Sequence, residues 1–337
     1  MNISSVLETL LANRDLDEQQ AAQLLRELTD PEVPDAAKGA ALVALRAKGE
    51  TAAEVRAMAL ALRDQATAVH LPSWTCRVDT CGTGGDGAGS VNISTATALV
   101  AAAMDIPVVK HGNRSVSSRS GSADVIEALG IDMATSPQEV EAALAGTGFA
   151  FLFAPAFHPA MKAVSPVRKA LGIRTVFNLL GPLVNPVAPT HQLVGAYSTR
   201  AAGLLAGALA GMGLERAFVV HGAPAFDEAT PVGPFLLFDV LDGRVRQRTV
   251  DPSEYGIPRG SPDDLQGGDP SENARLLEQV LQGEPGPRRD AVVLNAALVL
   301  QLVHDLPPLE AADRVTAALE SGTATTLLAR LRARRAA

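Results

Sequence analysis

The sequence predicts an α/β fold in which a small all-helical domain accompanies a larger domain with a mainly parallel central sheet. Roughly the first 70 residues show only helical spacing of apolar residues, as at Val55, Met58 and Leu62. From about residue 72 onward, short β-branched runs alternate with helical segments, a pattern typical of parallel strands joined by helices. The chain has 337 residues, 47% of them hydrophobic, which is enough for one large domain or two ordinary ones with a substantial core.

The strands and helices of the larger domain alternate along the chain. We predict strands at residues 76–80, 107–110, 149–153, 192–197 and 217–221. We predict helices at residues 94–104, 123–129, 137–144 and 201–212, which should cover both faces of the sheet. A hairpin is expected between residues 235–239 and 245–250, because Asp242-Gly243 supplies the positive φ angles of a tight turn. The remaining C-terminal third is predicted to be helical.

The segment between the third and fourth predicted strands differs from its surroundings. Residues 164–180 have the pattern of a helix, and the prolines within and after it suggest that the chain leaves the sheet and rejoins the N-terminal helices. We therefore predict a small helical domain made of residues 1–72 and about 164–188. The α/β domain then comprises residues 73–163 and about 189–337.

Composition and charge limit the classes of function. The sequence has 29 basic and 37 acidic residues, a net charge of -8, so it lacks the basic character of nucleic-acid-binding proteins. Cys76 and Cys81 are too few for a disulfide scaffold or a zinc cluster, and charged residues interrupt every apolar run before about 18 residues. We therefore expect a cytoplasmic protein without a membrane or nucleic-acid partner. The basic residues within 330–335 are most simply the solvated end of a helix.

A glycine-rich loop between a predicted strand and a predicted helix is the strongest local signal. Five of the eight residues from Gly82 to Gly89 are glycine, so main-chain N–H groups can approach an anion closely, and the following helix adds its partial positive charge. The loop lacks the acid of a dinucleotide site at the end of the next strand, and it lacks the lysine of a Walker A loop before Ser90. A plain tight turn is the alternative.

Two polar segments after the glycine loop strengthen the prediction of an anion site. Asn92, Ser94 and Thr95 lie at the start of a predicted helix, where such side chains act as caps or as ligand donors. Residues 110–124 contain three cations, one histidine, one asparagine and five serines, directly after a predicted strand. The carboxyl ends of strands are where open α/β sheets bind ligands. A solvated polar loop is the alternative reading of this second segment.

Three further candidates have less specific sequence signals. Asp227 and Glu228 are adjacent acids in a loop after a predicted strand, and they could hold Mg²⁺ if the substrate is a polyphosphate. A solvated acidic loop is equally compatible with that pair taken alone. Arg168, ten residues after His158, could hold a carboxylate with two hydrogen bonds, but either residue could equally be structural.

In order, these motifs resemble those of the anthranilate phosphoribosyltransferase family. They are residues 82–86, 92–95, 110–114, 167–168 with 177–186, and 227–228, and the resemblance covers nearly the whole chain. It implies transfer of the phosphoribosyl group from phosphoribosyl pyrophosphate (PRPP) to the amine of anthranilate, in tryptophan biosynthesis. It also implies a homodimer formed through the helical domain, with PRPP bound to the α/β domain.

The resemblance further implies a role for individual residues. PRPP would be bound by Gly82, Thr83, Gly84, Gly85, Asp86, Asn92, Ser94, Thr95, Lys110 and Ser122. Anthranilate would be bound by Gly82, His111, Asn113, His158, Arg168 and Gly181. Two Mg²⁺ ions per subunit would be held by Ser94, Asp227 and Glu228, and Lys110 and Arg168 would act in catalysis.

Other activities remain open at this point. Arg119 stands where many members of the family have lysine, and residues 223–226 differ from the usual run before the acid pair. A pyrimidine nucleoside phosphorylase would need a different basic motif and a longer chain than this one. A paralogue with another acceptor and a non-catalytic phosphosugar-binding protein are further alternatives, although the acids and the lysine are retained.

Overall fold

The computed structural model describes residues 3–115 and 119–335, and it begins with four helices. These are α1 (Ile3–Leu11), α2 (Glu18–Leu28), α3 (Asp35–Lys48) and α4 (Ala52–Asp64). Capping boxes start two of them, because the side chains of Asp17 and Thr51 accept from main-chain N–H groups three residues later. Gly49, at φ 89°, ends α3. The predicted helical start of the chain is confirmed.

A seven-stranded sheet follows, in the spatial order β3-β2-β1-β4-β5-β6-β7. Its strands are β1 (Val78–Gly82), β2 (Val108–Gly112), β3 (Phe149–Phe153), β4 (His191–Gly195), β5 (Arg216–His221), β6 (Phe235–Leu241) and β7 (Arg244–Val250). The first five are parallel, and β6 and β7 add an antiparallel hairpin. Asp242 and Gly243 make its turn at φ 51° and 70°, as predicted.

The other helices are arranged around the sheet. They are α5 (Ile93–Ala103), α6 (Ser122–Ala128), α7 (Pro137–Thr147), α8 (Ala154–Phe157), α9 (Ser165–Leu171), α10 (Phe177–Leu180), α11 (Thr199–Leu209), α12 (Pro270–Leu281), α13 (Pro287–His304), α14 (Pro308–Glu320) and α15 (Thr323–Arg335). The single helix expected over 164–180 is wrong. Gly172, at φ 60°, ends α9 in the left-handed conformation, and α10 begins five residues later.

Two helical layers cover the sheet, as the α/β prediction requires. Neighbouring residues of a strand point to opposite faces. Leu193 and Phe218 belong to a buried cluster with residues of α5, α6 and α12–α15. Val194 and Val219 belong to another, with residues of the N-terminal helices, α9, α10 and α11. No single helix within the described ranges is long and apolar enough to cross a membrane, while α13 and α14 meet that length and composition test only as a pair bent by 116°.

The N-terminal helices share their core with a segment that comes much later in the chain. Leu24, Leu42 and Leu62 belong to the same buried cluster as Val164 and Phe177. The ammonium group of the buried Lys38 also donates to the carbonyl of Ala163, at 3.3 Å. The chain between β3 and β4 therefore leaves the sheet and packs beside the N-terminal helices.

The sequence predicts that the arginines of the C-terminal helix are simply solvated. In the structure, they also form hydrogen bonds to main-chain carbonyl groups. Arg332 Nε donates to the carbonyl of Leu129 at 2.7 Å, and Arg330 Nη2 donates to that of Gly146 at 2.8 Å. These carbonyls lie at the carboxyl ends of α6 and α7, where unpaired acceptors and the helix dipole favour a cation. The basic end of the chain thereby fastens α15 to two helices of the sheet layer.

Candidate active site

A cavity opens at the carboxyl end of the sheet, where the strand order reverses. β1 lies between β2 on one side and β4 on the other, which is the position where open α/β sheets bind ligands. The cavity has a volume of about 630 Å³. It is lined by the loops after β1, β2 and β5 and by the segment between β3 and β4. Among the N-terminal helices, α4 contributes Leu62 to this lining.

The glycine loop bends sharply as it leaves β1. Gly84 and Gly85 have φ angles of 65° and 72°, which residues other than glycine rarely adopt. The loop is tied to β4 because Thr83 N donates to Gly195 O at 2.9 Å, and Tyr197 N donates to Thr83 Oγ1 at 3.0 Å. The loop is thus fixed against the sheet, and its residues line the cavity.

The acidic loop after β5 lies directly against the glycine loop. Asp227 Oδ2 accepts from Gly84 N at 2.7 Å, and Glu228 Oε1 accepts from Ser94 N at 3.1 Å. Asp86 Oδ2 accepts from Asp227 N at 3.3 Å, so three carboxyl groups come together. A Cβ atom on Gly195 would lie 1.5 Å from the Asp227 carbonyl oxygen, so only glycine permits this approach.

Burial and mutual repulsion make the carboxyl groups of Asp227 and Glu228 unusually basic. Burial is the largest cause that raises the pKa of Asp227 to about 7, and Asp86 adds to it. Burial also raises the pKa of Glu228 to about 8, with a further contribution from Asp227. A divalent cation would relieve this repulsion. The residues of 3–115 and 119–335 contain no group of three His, Cys, Asp or Glu side chains placed to hold a metal by themselves.

Lys110 is buried beside the glycine loop and belongs to the same cavity lining. Its Nζ donates to the carbonyl of Thr80 and to Ser94 Oγ, the latter at 3.3 Å. Burial lowers the pKa of Lys110, and the charge of the fully buried Asp79 opposes that shift. Asp79 Oδ2 itself accepts from Asn185 Nδ2 at 2.9 Å. Among the residues that the structure describes, the Lys110 amine thus has hydrogen-bond partners beside the glycine loop but no carboxylate in direct contact.

Another part of the cavity lining, the histidine end, contains a neutral pair of histidines. The rings of His111 and His158 lie edge to face, with centroids 5.1 Å apart. Burial lowers the pKa of His111 to about 3 and that of His158 to about 4. Both rings are therefore uncharged near neutral pH, and they present flat, weakly polar surfaces.

Arg168 brings a cation to this end, and Lys162 and Arg114 also belong to the cavity lining. The guanidinium of Arg168 lies 5.2 Å from the ring centre of Phe177. Its side chain makes no hydrogen bond or ion pair with any residue that the structure describes, and burial lowers its pKa. Asn113 is exposed nearby, and its Oδ1 accepts from Arg114 N at 2.7 Å. This end can receive an anionic group on an aromatic ligand.

The cavity brings together all but one of the residues that the sequence singled out. Its lining includes Gly82, Thr83, Gly84, Gly85, Asp86, Asn92, Ser94, Lys110, His111, Asn113, Ser122, His158, Arg168, Gly181, Asp227 and Glu228. Thr95 is the exception, because its side chain is fully buried and does not line the cavity. Residues 116–118 of the predicted polar loop lie outside the described residues.

Sequence reasoning missed several residues that support the site. Asp79 could have been noticed, because a charged residue in a predicted buried strand needs a partner. Arg174 donates to the carbonyl of Gly85, and its guanidinium lies 4.1 Å from the ring centre of Tyr197. Asn273 bonds to Asn92 from 181 residues away, and no local pattern signals such a pairing.

Two family models match the chain, one for each part of the fold. Residues 4–66 match the helical bundle domain of a glycosyl transferase family. Residues 75–325 match the a/b domain of a glycosyl transferase family. The two matches follow one another in the order in which the helices and the sheet occur here.

Curated relatives and solved structures resemble the chain over nearly its full length. An anthranilate phosphoribosyltransferase from Desulforudis audaxviator is 46% identical, over 98% of this chain and 95% of the relative. One from a Synechococcus species is 49% identical, over 90% and 88%. The crystal structure of the Thermus thermophilus enzyme has a TM-score of 0.91 at 41% identity, covering 98% and 99% of the two chains. The Saccharomyces cerevisiae enzyme in complex with PRPP and Mg has a TM-score of 0.90 at 29% identity, covering 99% and 98%.

Proposed function

The chain belongs to the anthranilate phosphoribosyltransferase family, and we propose that its cavity is where the phosphoribosyl group of PRPP is transferred to the amine of anthranilate. The products are N-(5-phosphoribosyl)anthranilate and pyrophosphate, and the reaction serves tryptophan biosynthesis. One observation carries the assignment of the cavity. A single cavity joins an end rich in anion donors, with the buried Lys110, to an end where Arg168 has no anionic partner among the described residues.

The first end suits the pyrophosphate of PRPP. Displacing pyrophosphate from the sugar builds positive charge on the ribose and negative charge on the leaving group, so stabilising the leaving group is the main task. The N–H groups of the glycine loop, the start of α5 and the ammonium of Lys110 all direct positive potential to this end. Gly84 N and Ser94 N already donate to Asp227 and Glu228, so binding of substrate and metal must release these two donors.

The carboxylates at this end fit magnesium. Asp227 and Glu228 offer oxygen ligands, Ser94 offers a hydroxyl oxygen, and burial with mutual repulsion leaves the two acids in need of a cation. Mg²⁺ prefers oxygen ligands and commonly uses one or two protein carboxylates, with waters and substrate phosphates completing its shell. When bound, it supplies positive charge to the leaving pyrophosphate. We propose two ions per subunit, held through Ser94, Asp227 and Glu228.

The second end suits anthranilate. The guanidinium of Arg168 can hold a carboxylate with two hydrogen bonds, and Asn113 and Gly181 line the same region. His111 and His158 are neutral, so their rings can pack on the substrate ring without competing for its carboxylate. Arg114 of the lining is already paired with Asp124 and Glu127, which favours Arg168 as the cation that selects the carboxylate. The aromatic amine is uncharged at neutral pH and needs no base before it attacks. Orientation and electrostatics therefore carry the catalysis.

The assembly and cellular setting belong to the same proposal. Leu11 and Val43 are apolar residues of the N-terminal helices that are 71% and 42% exposed, which supports a homodimer formed through this part of the chain. The pairing of these helices with residues 164–184 supports a helical domain of residues 1–72 and about 164–188 beside an α/β domain. Cys76 and Cys81 are free thiols, as in the reducing cytoplasm.

Loss of anthranilate fluorescence tests the reaction. Purified protein is mixed with anthranilate, PRPP and Mg²⁺, and each component is omitted in turn. We expect turnover that needs all three, and a loss of about 100-fold in kcat/KM for Lys110→Gln but not for exposed Lys169→Gln. Phosphorolysis of thymidine or uridine without such turnover would instead indicate a nucleoside phosphorylase. PRPP binding without turnover on anthranilate would indicate a different acceptor.

A further inference from the structure

We propose that Asn273 is a positioning residue that holds the side-chain amide of Asn92 so that its NH₂ group, rather than its carbonyl, faces the phosphate end of the cavity. The inference rests on the proposed function, because it takes the ligand at this end to be the anionic PRPP. Asn273 lies in the first turn of α12, is 2% exposed, and does not itself line the cavity.

A main-chain N–H sets the orientation of the Asn273 amide. Gly268 N donates to Asn273 Oδ1 at 2.7 Å. A main-chain nitrogen can only donate, so the side-chain atom that it meets must be the oxygen of Asn273. The other end of the amide is then the NH₂ group, and Asn273 Nδ2 donates to Asn92 Oδ1 at 2.9 Å. The orientation of each amide is therefore determined by the donor before it.

The last amide of this series presents donors to the cavity. With its Oδ1 bound to Asn273, Asn92 turns Nδ2 the other way, where it makes a long contact of 3.4 Å to Ser120 O. Asn92 is partly exposed and lines the cavity. An anion needs donors, so this orientation suits a phosphate, whereas the opposite one would direct carbonyl lone pairs at it.

The surrounding main chain leaves the two asparagines little freedom. A Cβ on Gly267 would lie 2.6 Å from Asn273 Oδ1 and 3.0 Å from Val91 N. The segment before α12 therefore packs tightly against the residues that follow the glycine loop. Gly267 N donates to Gly89 O, and Val91 N donates to Leu265 O, both at 2.9 Å. Residues 265–267 and Asn273 thus connect the C-terminal helices to the phosphate end of the cavity.

Asn273→Asp tests the proposal because it changes the polarity of the amide with almost no change in shape. The new side chain still accepts from Gly268 N, but it can no longer donate to Asn92 Oδ1, so the Asn92 amide turns over and presents its oxygen to the cavity. We expect KM for PRPP to rise about tenfold, with KM for anthranilate within about twofold of the wild-type value. Calorimetric titration with PRPP and Mg²⁺ should show the same loss of affinity.

Two further variants separate positioning from general damage. Gln301→Glu makes the same change of a buried amide in α13, where Gln301 Nε2 donates to Leu306 O at 2.9 Å, and it should leave both KM values unchanged. Asn273→Ala removes the donor without adding charge, so it covers the case in which the aspartate variant does not fold. It should raise KM for PRPP by roughly threefold or more.

A double-variant cycle decides the matter. In an Asn92→Ala background, Asn273→Asp should have no additional effect on PRPP affinity, because the group that it positions is gone. A full effect in that background, or equal rises in both KM values, would overturn the positioning role while leaving the transferase assignment intact. If Asn92→Ala alone leaves PRPP affinity unchanged, the inference fails together with the proposed phosphate contact of Asn92. Absence of any turnover in the wild type would instead count against the proposed function.

Discussion

Asp227 Oδ2 accepts a hydrogen bond from Gly84 N at 2.7 Å, which ties the acidic loop to the glycine loop. The bond uses a main-chain donor that the proposed phosphate site requires. A cation that attracts the Asp227 carboxylate would release Gly84 N for the substrate. If the proposed metal and phosphate sites are right, this contact would couple metal binding to pyrophosphate binding at one atom.

Asp227→Asn should raise the Mg²⁺ concentration needed for half-maximal activity by about tenfold or more, because it removes one of the anionic ligands. The measurement is a Mg²⁺ titration of anthranilate fluorescence loss after the protein has been stripped with EDTA. Stripped wild-type protein should be inactive and should recover when Mg²⁺ is restored. Asp263→Asn, an exposed acid outside the cavity lining, is the matched control. An unchanged Mg²⁺ requirement in Asp227→Asn would remove this residue from the metal site.

Arg168→Ala should raise KM for anthranilate by about tenfold or more, because a charge-assisted contact to the carboxylate is lost. KM for PRPP should stay within about twofold of the wild-type value. Arg168→Lys should recover only part of the loss, since lysine keeps the charge but cannot form the two parallel bonds. Steady-state kinetics with each substrate varied in turn provide the measurement. Equal increases in both KM values would contradict a role confined to anthranilate.

His158 should make the protein less stable in mild acid. Burial lowers its pKa to about 4, whereas an unfolded histidine titrates near 6.5, so only the unfolded chain gains a proton between these values. Stability therefore falls as the pH drops through that window, by about 2 kcal/mol from this residue between pH 7.5 and pH 5.

Urea unfolding of His158→Gln at those two pH values measures this contribution. The variant should lose about 2 kcal/mol less than the wild type over the interval, whatever its stability at pH 7.5. His70→Gln, which replaces an exposed histidine, should keep the wild-type pH dependence. The same pH dependence in all three proteins would show that His158 does not resist protonation.

Gly195→Ala should disable the site through the acidic loop. The added Cβ would lie 1.5 Å from the Asp227 carbonyl oxygen, so the loop must move, and a displacement of this size costs about 100-fold in kcat/KM. Gly203→Ala is the matched control. Gly203 lies in α11, and a Cβ added there would have no atom outside its own helix turn within 4 Å among the described residues. This control should raise the free energy of unfolding by about 1 kcal/mol and leave activity unchanged. Wild-type activity in Gly195→Ala would mean that the position of the loop is unimportant.

The sequence predicted those parts of the fold that depend on neighbouring residues. Strand and helix positions follow from local periodicity, and the predicted strands agree with β1–β5 to within about two residues. The turn at Asp242-Gly243 is likewise a local property. The break in the helix expected over 164–180 was missed, although Gly172 was visible, because glycine inside a helical pattern does not always end a helix.

The site was predictable where its chemistry is contained in one loop. The glycine loop and the polar segment after Lys110 reveal themselves by composition, and both line the cavity. The role of Thr95 was harder to judge, because a position next to a lining residue does not establish that the side chain reaches the cavity. The bond between Asp227 and Gly84 joins residues 143 positions apart, so only the closed fold brings them together.

The core that the N-terminal helices share with the segment between β3 and β4 also affects when these helices can bury their apolar side chains during synthesis. Leu24, Leu42 and Leu62 emerge from the ribosome well before Val164 and Phe177, with which they are buried. Roughly 100 residues separate Leu62 from Val164, which at about 5–20 residues per second is a delay of some 5–20 s. During that time the apolar face of the N-terminal helices is exposed to solvent. We therefore expect the amino-terminal helices to complete their core only after Val164 and Phe177 have been synthesised.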